Sequence, residues 1–408
     1  MTRDPKTPTD RRATTVHHAR HTDGHDERPT IRAAVEALVG APAIDDNAVE
    51  VLRNGDEIFP AMLDAIESAE ETIDFLTFIY WSGDIGRRFA EALGQASERG
   101  VAVRVLLDSL GARRISDELV ESMQDRGARV EWFRPVEGQE LGKAHHRTHR
   151  KILVVDDVIG FIGGVGIADE WTGDARDETE WRDTHFRVEG PAVSGLRAAF
   201  VSNWAETGQE VLRDGERFPE LAPAGDVCCQ VVHGAAEAGW SDISTLFRVL
   251  IGLAQERLRI CTAYFTPDEI LLGQLVEASQ RGVAVEVLVP GPHADKRFVQ
   301  LGAERCYETL LEAGVVVRSF QPAMLHAKIM TVDGLVATVG SANFNTRSAA
   351  LDDEANLVIY DERIVSILDR HYDEDVERSE EIDLERWKDR GWIQRVKEKV
   401  LGPAEPFM

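Results

Sequence analysis

Cysteine is nearly absent from this chain: Cys228, Cys229, Cys261 and Cys306 are the four, and none are spaced as C-x-x-C. That excludes a disulfide framework and leaves reduced, mostly buried thiols. Long apolar runs are missing too. The longest candidate, 152–168, is split by Asp156 and Asp157, short of the about 18 apolar residues of a membrane helix. The N-terminus has no apolar core of a signal peptide. Positive charge is in deficit, with 46 Lys and Arg against 72 Asp and Glu and a formal net charge of -26. Such a surface repels polyanions at long range, which disfavours a nuclease and any nucleic-acid partner. A few clustered Lys, Arg and His can still hold one phosphate against that background.

What is present is a polar tail followed by a repeat. Residues 1–28 have the composition of a disordered segment, and His17, His18, His21 and His25 in it lack the spacing of a metal site. Ile31, Ala34, Val35, Leu38 and Val39 then mark a short amphipathic helix, expected to pack on the first domain. A chain of 408 residues suits two domains. ETIDFLTFIYW, a helix and GVAVRVLLD in the first half match ERLRICTAYF, a helix and GVAVEVLVPG in the second, with Arg-Gly-Val-Ala-Val at 99–103 and 281–285. Alternating strands and helices predict an α/β fold: two similar lobes, each a mixed β-sheet flanked by helices, related by a pseudo-twofold with the active site between them. The expected domains are 29–215 and 216–408, the second ending in a helical tail, with a crossing near 208–239.

Each half carries His-x-Lys-x4-Asp: His149, Lys151 and Asp156, then His326, Lys328 and Asp333. Gly163-Gly164 follows the first copy and Gly340-Ser341-Ala342-Asn343 the second, so each reads as a hairpin turning at Asp156-Asp157 or Asp333-Gly334. If those pairs are the two central turn residues, His326 faces Ser341, Lys328 faces Val339, His149 faces Gly164 and Lys151 faces Ile162. Alternation then puts Asn343 on the face of His326 and Lys328, and Gly166 in the matching place of the first copy. A lone His-x-Lys is usually incidental; two copies in a repeat make one constellation. Attack on a phosphodiester needs cations around its oxygens, a nucleophile and an acid for the leaving alkoxide. Lys151, Lys328 and Asn343, with Ser341 and Gly164 beside them, are the expected phosphate-binding groups. One imidazole, neutral near pH 7, attacks while the other, protonated, donates. The scheme requires no metal and no cofactor. Asp183 and Glu354, each following a motif on an apolar strand, are the candidates to set the histidine tautomers. Asp156 and Asp333 at the turns are expected to fix the hairpin or pair with a base. His145, His146 and His185 read as rim groups, and Gly164-x-Gly166 lacks the third glycine of a dinucleotide loop.

With its two His-x-Lys-x4-Asp motifs the chain resembles the phospholipase D superfamily, and through LRNGDEIFPAMLDAIESA, HHRTHRK, GGVGIADEW, WRDTHFRVEGPAV, AYFTPDEILL and LLEAGVVVRSFQPAMLHAK it is similar to bacterial cardiolipin synthases. The resemblance implies phospholipase D-like lobes and a phosphatidyl-histidine intermediate. It implies transfer from one phosphatidylglycerol to a second with release of glycerol, His149 serving as nucleophile and His326 as acid. The implied partner is phospholipid at a membrane surface, and the expected placement is cytoplasmic, peripheral on the inner face of the cell membrane. Two departures stand out: Gly166 replaces an asparagine common in relatives, and a polar tail replaces their membrane-spanning helices. A hydrolytic phospholipase D, a metal-independent nuclease or phosphodiesterase, and a non-catalytic membrane scaffold are the competing readings. Oligomeric state is not legible.

Overall fold

A computed structural model describes residues 28–135, 146–211, 218, 220–234, 242–295 and 297–388. The polar tail and its histidines, His145, and most of the helical tail lie outside those residues. The first half contains β1 (Ile44–Arg53), β2 (Thr72–Thr77), β3 (Ala102–Asp108), β4 (Arg129–Phe133), β5 (Arg147–Thr148), β6 (Ile152–Val155), β7 (Ile159–Gly163) and β8 (Thr184–Glu189). The second contains β9 (Val227–Gly234), β10 (Arg257–Cys261), β11 (Phe265–Thr266), β12 (Ala284–Pro290), β13 (Val316–Phe320), β14 (Ile329–Val332), β15 (Val336–Gly340), β16 (Phe344–Asn345), β17 (Asp352–Ile359) and β18 (Ser379–Glu381).

The spatial order in the first half is β4-β3-β2-β6-β7-β8-β1, and in the second β13-β12-β10-β14-β15-β17-β9. These are the same seven strands twice. β2, β3 and β4 run parallel, as do β10, β12 and β13, while the other neighbours are antiparallel, giving a mixed sheet in each lobe. Equivalent strands β1 and β9 then pair with each other through a bulge, so one sheet runs through both lobes and the pseudo-twofold passes between them. Strand β17 is buried at all eight positions because helices cover both faces, so that its acidic first half, Asp352-Asp353-Glu354, is buried along with the apolar residues Leu357–Ile359. On one face each lobe has its own core, around Phe59, Phe75 and Phe89 or around Leu246, Leu275 and Leu310. On the other face a shared core joins Ile152, Phe200 and Trp204 to Val339, Leu357 and Val365. Each such side chain contributes about 1.5–3 kcal/mol on burial, so the lobes are cemented together by apolar contact.

Three local expectations are corrected. The helix Arg28–Val39 packs on the second lobe, with Ile31 and Val35 in the cluster of Leu246 and Phe247. The pairing of β1 with β9 delivers its C-terminal end there, and Glu36 accepts the Ala43 N–H. The stretch read as a crossing contains strand β9. The hairpin register is shifted by one residue: Ile162 faces Ile152 rather than Lys151, and Val339 faces Ile329 rather than Lys328. Asp156 and Asp157 (φ 52° and 58°), like Asp333 and Gly334 (54° and 72°), do form the left-handed turn. Val158 N–H closes it on Val155 O at 3.0 Å and Leu335 N–H on Val332 O at 2.9 Å. Val158 and Leu335 then stand as extra residues before the ladders begin at Val155–Ile159 and Val332–Val336.

Candidate active site

Each His-x-Lys segment reaches across to the other lobe before it enters its own hairpin. β5 pairs in parallel with the start of β17, and His149 N–H donates to Asp353 O at 2.9 Å. In the mirror relation Leu325 bridges to Arg182, and His326 N–H donates to Arg182 O at 2.7 Å. The carboxylates therefore cross. His149 Nδ1 lies 3.0 and 3.1 Å from the Glu354 oxygens of the second lobe, and His326 Nδ1 lies 2.8 Å from Asp183 Oδ2 of the first. With Nδ1–H donating to a carboxylate, Nε2 is the reacting nitrogen of both rings.

The carboxylates are themselves held. Asp183 accepts from Trp171 Nε1 at 2.9 Å and from Thr184 N–H at 2.8 Å; Glu354 accepts from the Ser341 hydroxyl. Burial pushes both acids up, but the imidazoles and lysines prevail: Asp183 sits well below the usual carboxylate range and Glu354 falls to about 2. His326 packs edge-on to Trp171 at 5.1 Å, with Trp181 at 5.4 Å, whereas His149 has Phe78 at 5.1 Å. Arg150, fully buried between His149 and Lys151, donates to Glu354 O at 3.2 Å, Ala199 O at 2.6 Å, Asn203 Oδ1 at 3.0 Å and Gly234 O at 2.8 Å, which pins the backbone behind Glu354. Arg182 does the same behind Asp183, bridging Asp183 O and Thr184 Oγ1 to Asp375. Neither arginine nor Trp171 is singled out by the sequence; each arginine adjoins a site residue, and Trp171 ends the GGVGIADEW segment that carries part of the resemblance.

Lys151 Nζ donates to His149 O at 2.5 Å and lies over the Phe78 ring, and Lys328 Nζ donates to His326 O and lies 3.0 and 3.2 Å from the His326 ring nitrogens. Burial lowers Lys151 to about 7, with Lys328 adding to the shift, and lowers Lys328 to about 8 against the attraction of Asp183 and Glu354. His149 feels Lys328 and His326 feels Lys151, so the four groups share one pocket. Burial also carries both imidazoles down to about 4, opposed by Glu354 at His149 and by Asp183 at His326. Both rings are therefore neutral at pH 7, in contrast to the expected division into one neutral and one protonated. Two ammonium groups and two imidazoles that can take a proton share this space, and an entering phosphodiester anion offsets the positive charge, which favours protonation of a ring on binding.

The remaining residues separate. A Cβ on Gly164 would lie 2.3 Å from Asp183 Oδ1, so this glycine makes room for the carboxylate that orients His326. Ser341, its counterpart, spends its hydroxyl on Glu354. Gly164→Ala is accordingly expected to lower turnover about 100-fold by displacing Asp183, with the melting temperature nearly kept; full activity would remove the positional role given to Gly164. Asn343 is buried and its Oδ1 has no hydrogen-bond partner. Asp156 accepts the N–H groups of Glu70, Glu71 and Thr72, and Asp333 those of Gln255, Glu256 and Arg257, so both fasten the hairpin tip to the preceding strand. His146 Nδ1 lies 3.1 Å from Leu351 O, and His185 is buried against Gly163, where it feels the charges of Asp183 and Lys151.

Two carboxylate-held imidazoles with two lysines, contributed symmetrically by duplicated lobes, define a phosphodiester-transferring enzyme of the phospholipase D type. Residues 62–183 and 247–376 match the family described as cardiolipin synthase, PLD-like domain. The chain is 32% identical over 363 residues to the cardiolipin synthase of Oceanobacillus iheyensis, and 31% identical over 367 residues to the major cardiolipin synthase ClsA of Bacillus subtilis. Each match covers 89% of this chain and 76% of the relative. The chain belongs to the cardiolipin synthase family. Among solved structures, the phosphatidylserine synthase of Haemophilus influenzae superposes with a TM-score of 0.68 at 16% identity, covering 92% of this chain and 97% of that one. A polyphosphate kinase from Porphyromonas gingivalis gives 0.56 at 13% identity, covering 89% and 53%. Both show a shared fold.

The relatives overturn the expected placement in the cytoplasm, peripheral on the inner face of the cell membrane. The Oceanobacillus synthase extends beyond the 76% of it that aligns, so the aligned region does not speak for where such a protein resides. The structural finding is narrower: among the described residues no helix is long and apolar enough to cross a membrane.

Proposed function

We propose that this cardiolipin synthase-like phosphatidyltransferase takes phosphatidylglycerol from a lipid surface and moves its phosphatidyl group to the hydroxyl of a second phosphatidylglycerol. The observation that carries the reading is the pair of crossed imidazole–carboxylate contacts, which present two Nε2 atoms to one pocket. His149 Nε2 attacks phosphorus, the P–O bond to the headgroup glycerol breaks, and His326 gives the leaving oxygen a proton. The acceptor hydroxyl then returns a proton to His326 as its oxygen bonds to phosphorus and the P–N bond breaks. Lys151 and Lys328 neutralise charge on the non-bridging oxygens in both steps. His149 takes the nucleophile's role because the resemblance of the first-half motif implies it, and the pseudo-twofold makes exchange of the two roles the alternative.

Purified protein with phosphatidylglycerol vesicles should yield cardiolipin and free glycerol in equal amounts, detected by mass spectrometry. Phosphatidic acid in place of cardiolipin would make water the acceptor and the protein a hydrolase. The pH dependence carries a second expectation. Lys151 at about 7 and Lys328 at about 8 are charged below those values and lose the proton above them. Hence kcat/KM should decline as pH rises through about 7 to 8; a profile flat to pH 9.5 would show that neither ammonium group is needed.

A further inference from the structure

The two lobes share a plan, so the places where they differ report what each half of the pocket must recognise. One such place is the corner beyond β2 and its equivalent β10. In the first lobe Thr77 Oγ1 donates to Ile79 O at 2.9 Å; in the second Thr262 Oγ1 donates to Tyr264 O at 3.1 Å, which makes Ile79 and Tyr264 counterparts. Facing Ile79 is Gly166, where a Cβ would lie 2.8 Å from the Ile79 Cβ. In the second lobe Asn343 holds the place of Gly166. The parallel pairing of Phe265 with Phe344 brings Tyr264 and Asn343 side by side one residue earlier. An apolar corner in one lobe is thus a polar corner in the other.

A third group completes the polar corner. Tyr264 donates its hydroxyl to Asp295, at 3.0 and 2.8 Å from the two carboxylate oxygens. Asp295 stands five residues beyond the end of β12, where the first lobe has the exposed Arg113 five residues beyond β3. The negative charge of Asp295 is felt at Lys328, so it lies at the His326 side of the pocket. Asn343 is 3% exposed, and a buried amide oxygen without a partner is costly unless a ligand or water supplies a donor. A carboxylate repels the phosphodiester anion and is suited to uncharged hydroxyl groups beside it. His326, in the scheme above, exchanges protons with the oxygen of the headgroup that leaves and of the one that enters.

We propose that Tyr264, Asp295 and the unpartnered Oδ1 of Asn343 form the subsite for a polyol headgroup, holding the hydroxyls of the departing glycerol and of the glycerol on the acceptor lipid, while the Asn343 amide N–H groups remain for the phosphate expected beside it. Both alcohols pass through one place because the second step is the reverse of the first with a different alcohol. This rests on the phosphatidyltransferase reading and adds the residues that select the alcohol.

The test is competition between acceptors. With phosphatidylglycerol vesicles, isotopically labelled glycerol and ethanol at equal concentration, the unaltered protein should form more labelled phosphatidylglycerol than phosphatidylethanol. Asp295→Asn should lower that ratio about tenfold, the loss expected for one hydrogen bond to a charged group, and Tyr264→Phe should lower it less, with phosphatidylethanol still formed. Arg113→Ala, at the corresponding place in the first lobe, should leave the ratio alone. An unchanged ratio in both second-lobe variants, or equal loss of the two products, overturns the subsite. No phosphatidyl transfer by the unaltered protein sinks the function itself and the subsite with it.

Discussion

His149→Ala is expected to lower phosphatidyl transfer by at least about 10⁴-fold, because the step it carries is covalent and no neighbour can replace the nitrogen. His326→Ala should fall by a similar factor with the natural lipid, so overall rates alone do not tell nucleophile from acid. A phosphatidyl ester of p-nitrophenol separates them. Nitrophenolate leaves without a proton, so attack by His149 proceeds in His326→Ala, but return of the phosphatidyl group needs a base. That variant should release one equivalent of nitrophenol per active site and then stop, with phosphorus bound to His149. His149→Ala should give no burst. The opposite pattern would exchange the two roles, which the pseudo-twofold permits. The shared Asp183–Lys328 and Glu354–Lys151 environments make the two rings nearly equal in pKa, so only this kinetic asymmetry distinguishes them.

Much of the architecture is legible because the repeat is written in the strands themselves. Buried parallel strands such as Ala102–Asp108 and Ala284–Pro290 read as apolar runs, and Arg-Gly-Val-Ala-Val marks the same helix-to-strand junction twice. The four residues that share the pocket, His149, Lys151, His326 and Lys328, are legible for the same reason: duplication distinguishes them from chance. Register is not, because a turn's dihedral angles are visible in Asp333-Gly334 whereas the extra residue after it, Leu335, has no compositional mark. The docking of the helix Arg28–Val39 is set by the antiparallel join of β1 to β9, a contact between halves that local periodicity cannot reveal. Gly164 looks like space for a ligand and is space for Asp183 instead, since only the fold brings that carboxylate beneath it.

The least legible feature is which carboxylate serves which histidine, and here the structure makes a distinct prediction. Asp183 follows the first motif and Glu354 the second, yet each orients the ring of the opposite lobe. Glu354→Gln should therefore resemble loss of His149: the amide keeps the shape of the contact but removes the charge that favours the cationic, phosphorylated ring, and the nitrophenol burst should slow by about 10²–10⁴-fold. Asp183→Asn should resemble loss of His326. Its burst should persist while turnover of the natural lipid falls by a comparable factor, because a neutral partner no longer favours the imidazolium that protonates the leaving oxygen. Pairing within each lobe would produce the reverse assignment, so burst amplitude and burst rate in the two variants decide between the arrangements. The crossing also means that neither lobe holds a complete acid or nucleophile: His149 depends on β17 and His326 on the residues leading into β8. The shared core of Phe200, Trp204, Leu357 and Val365 that cements the lobes is thus part of what keeps both rings oriented.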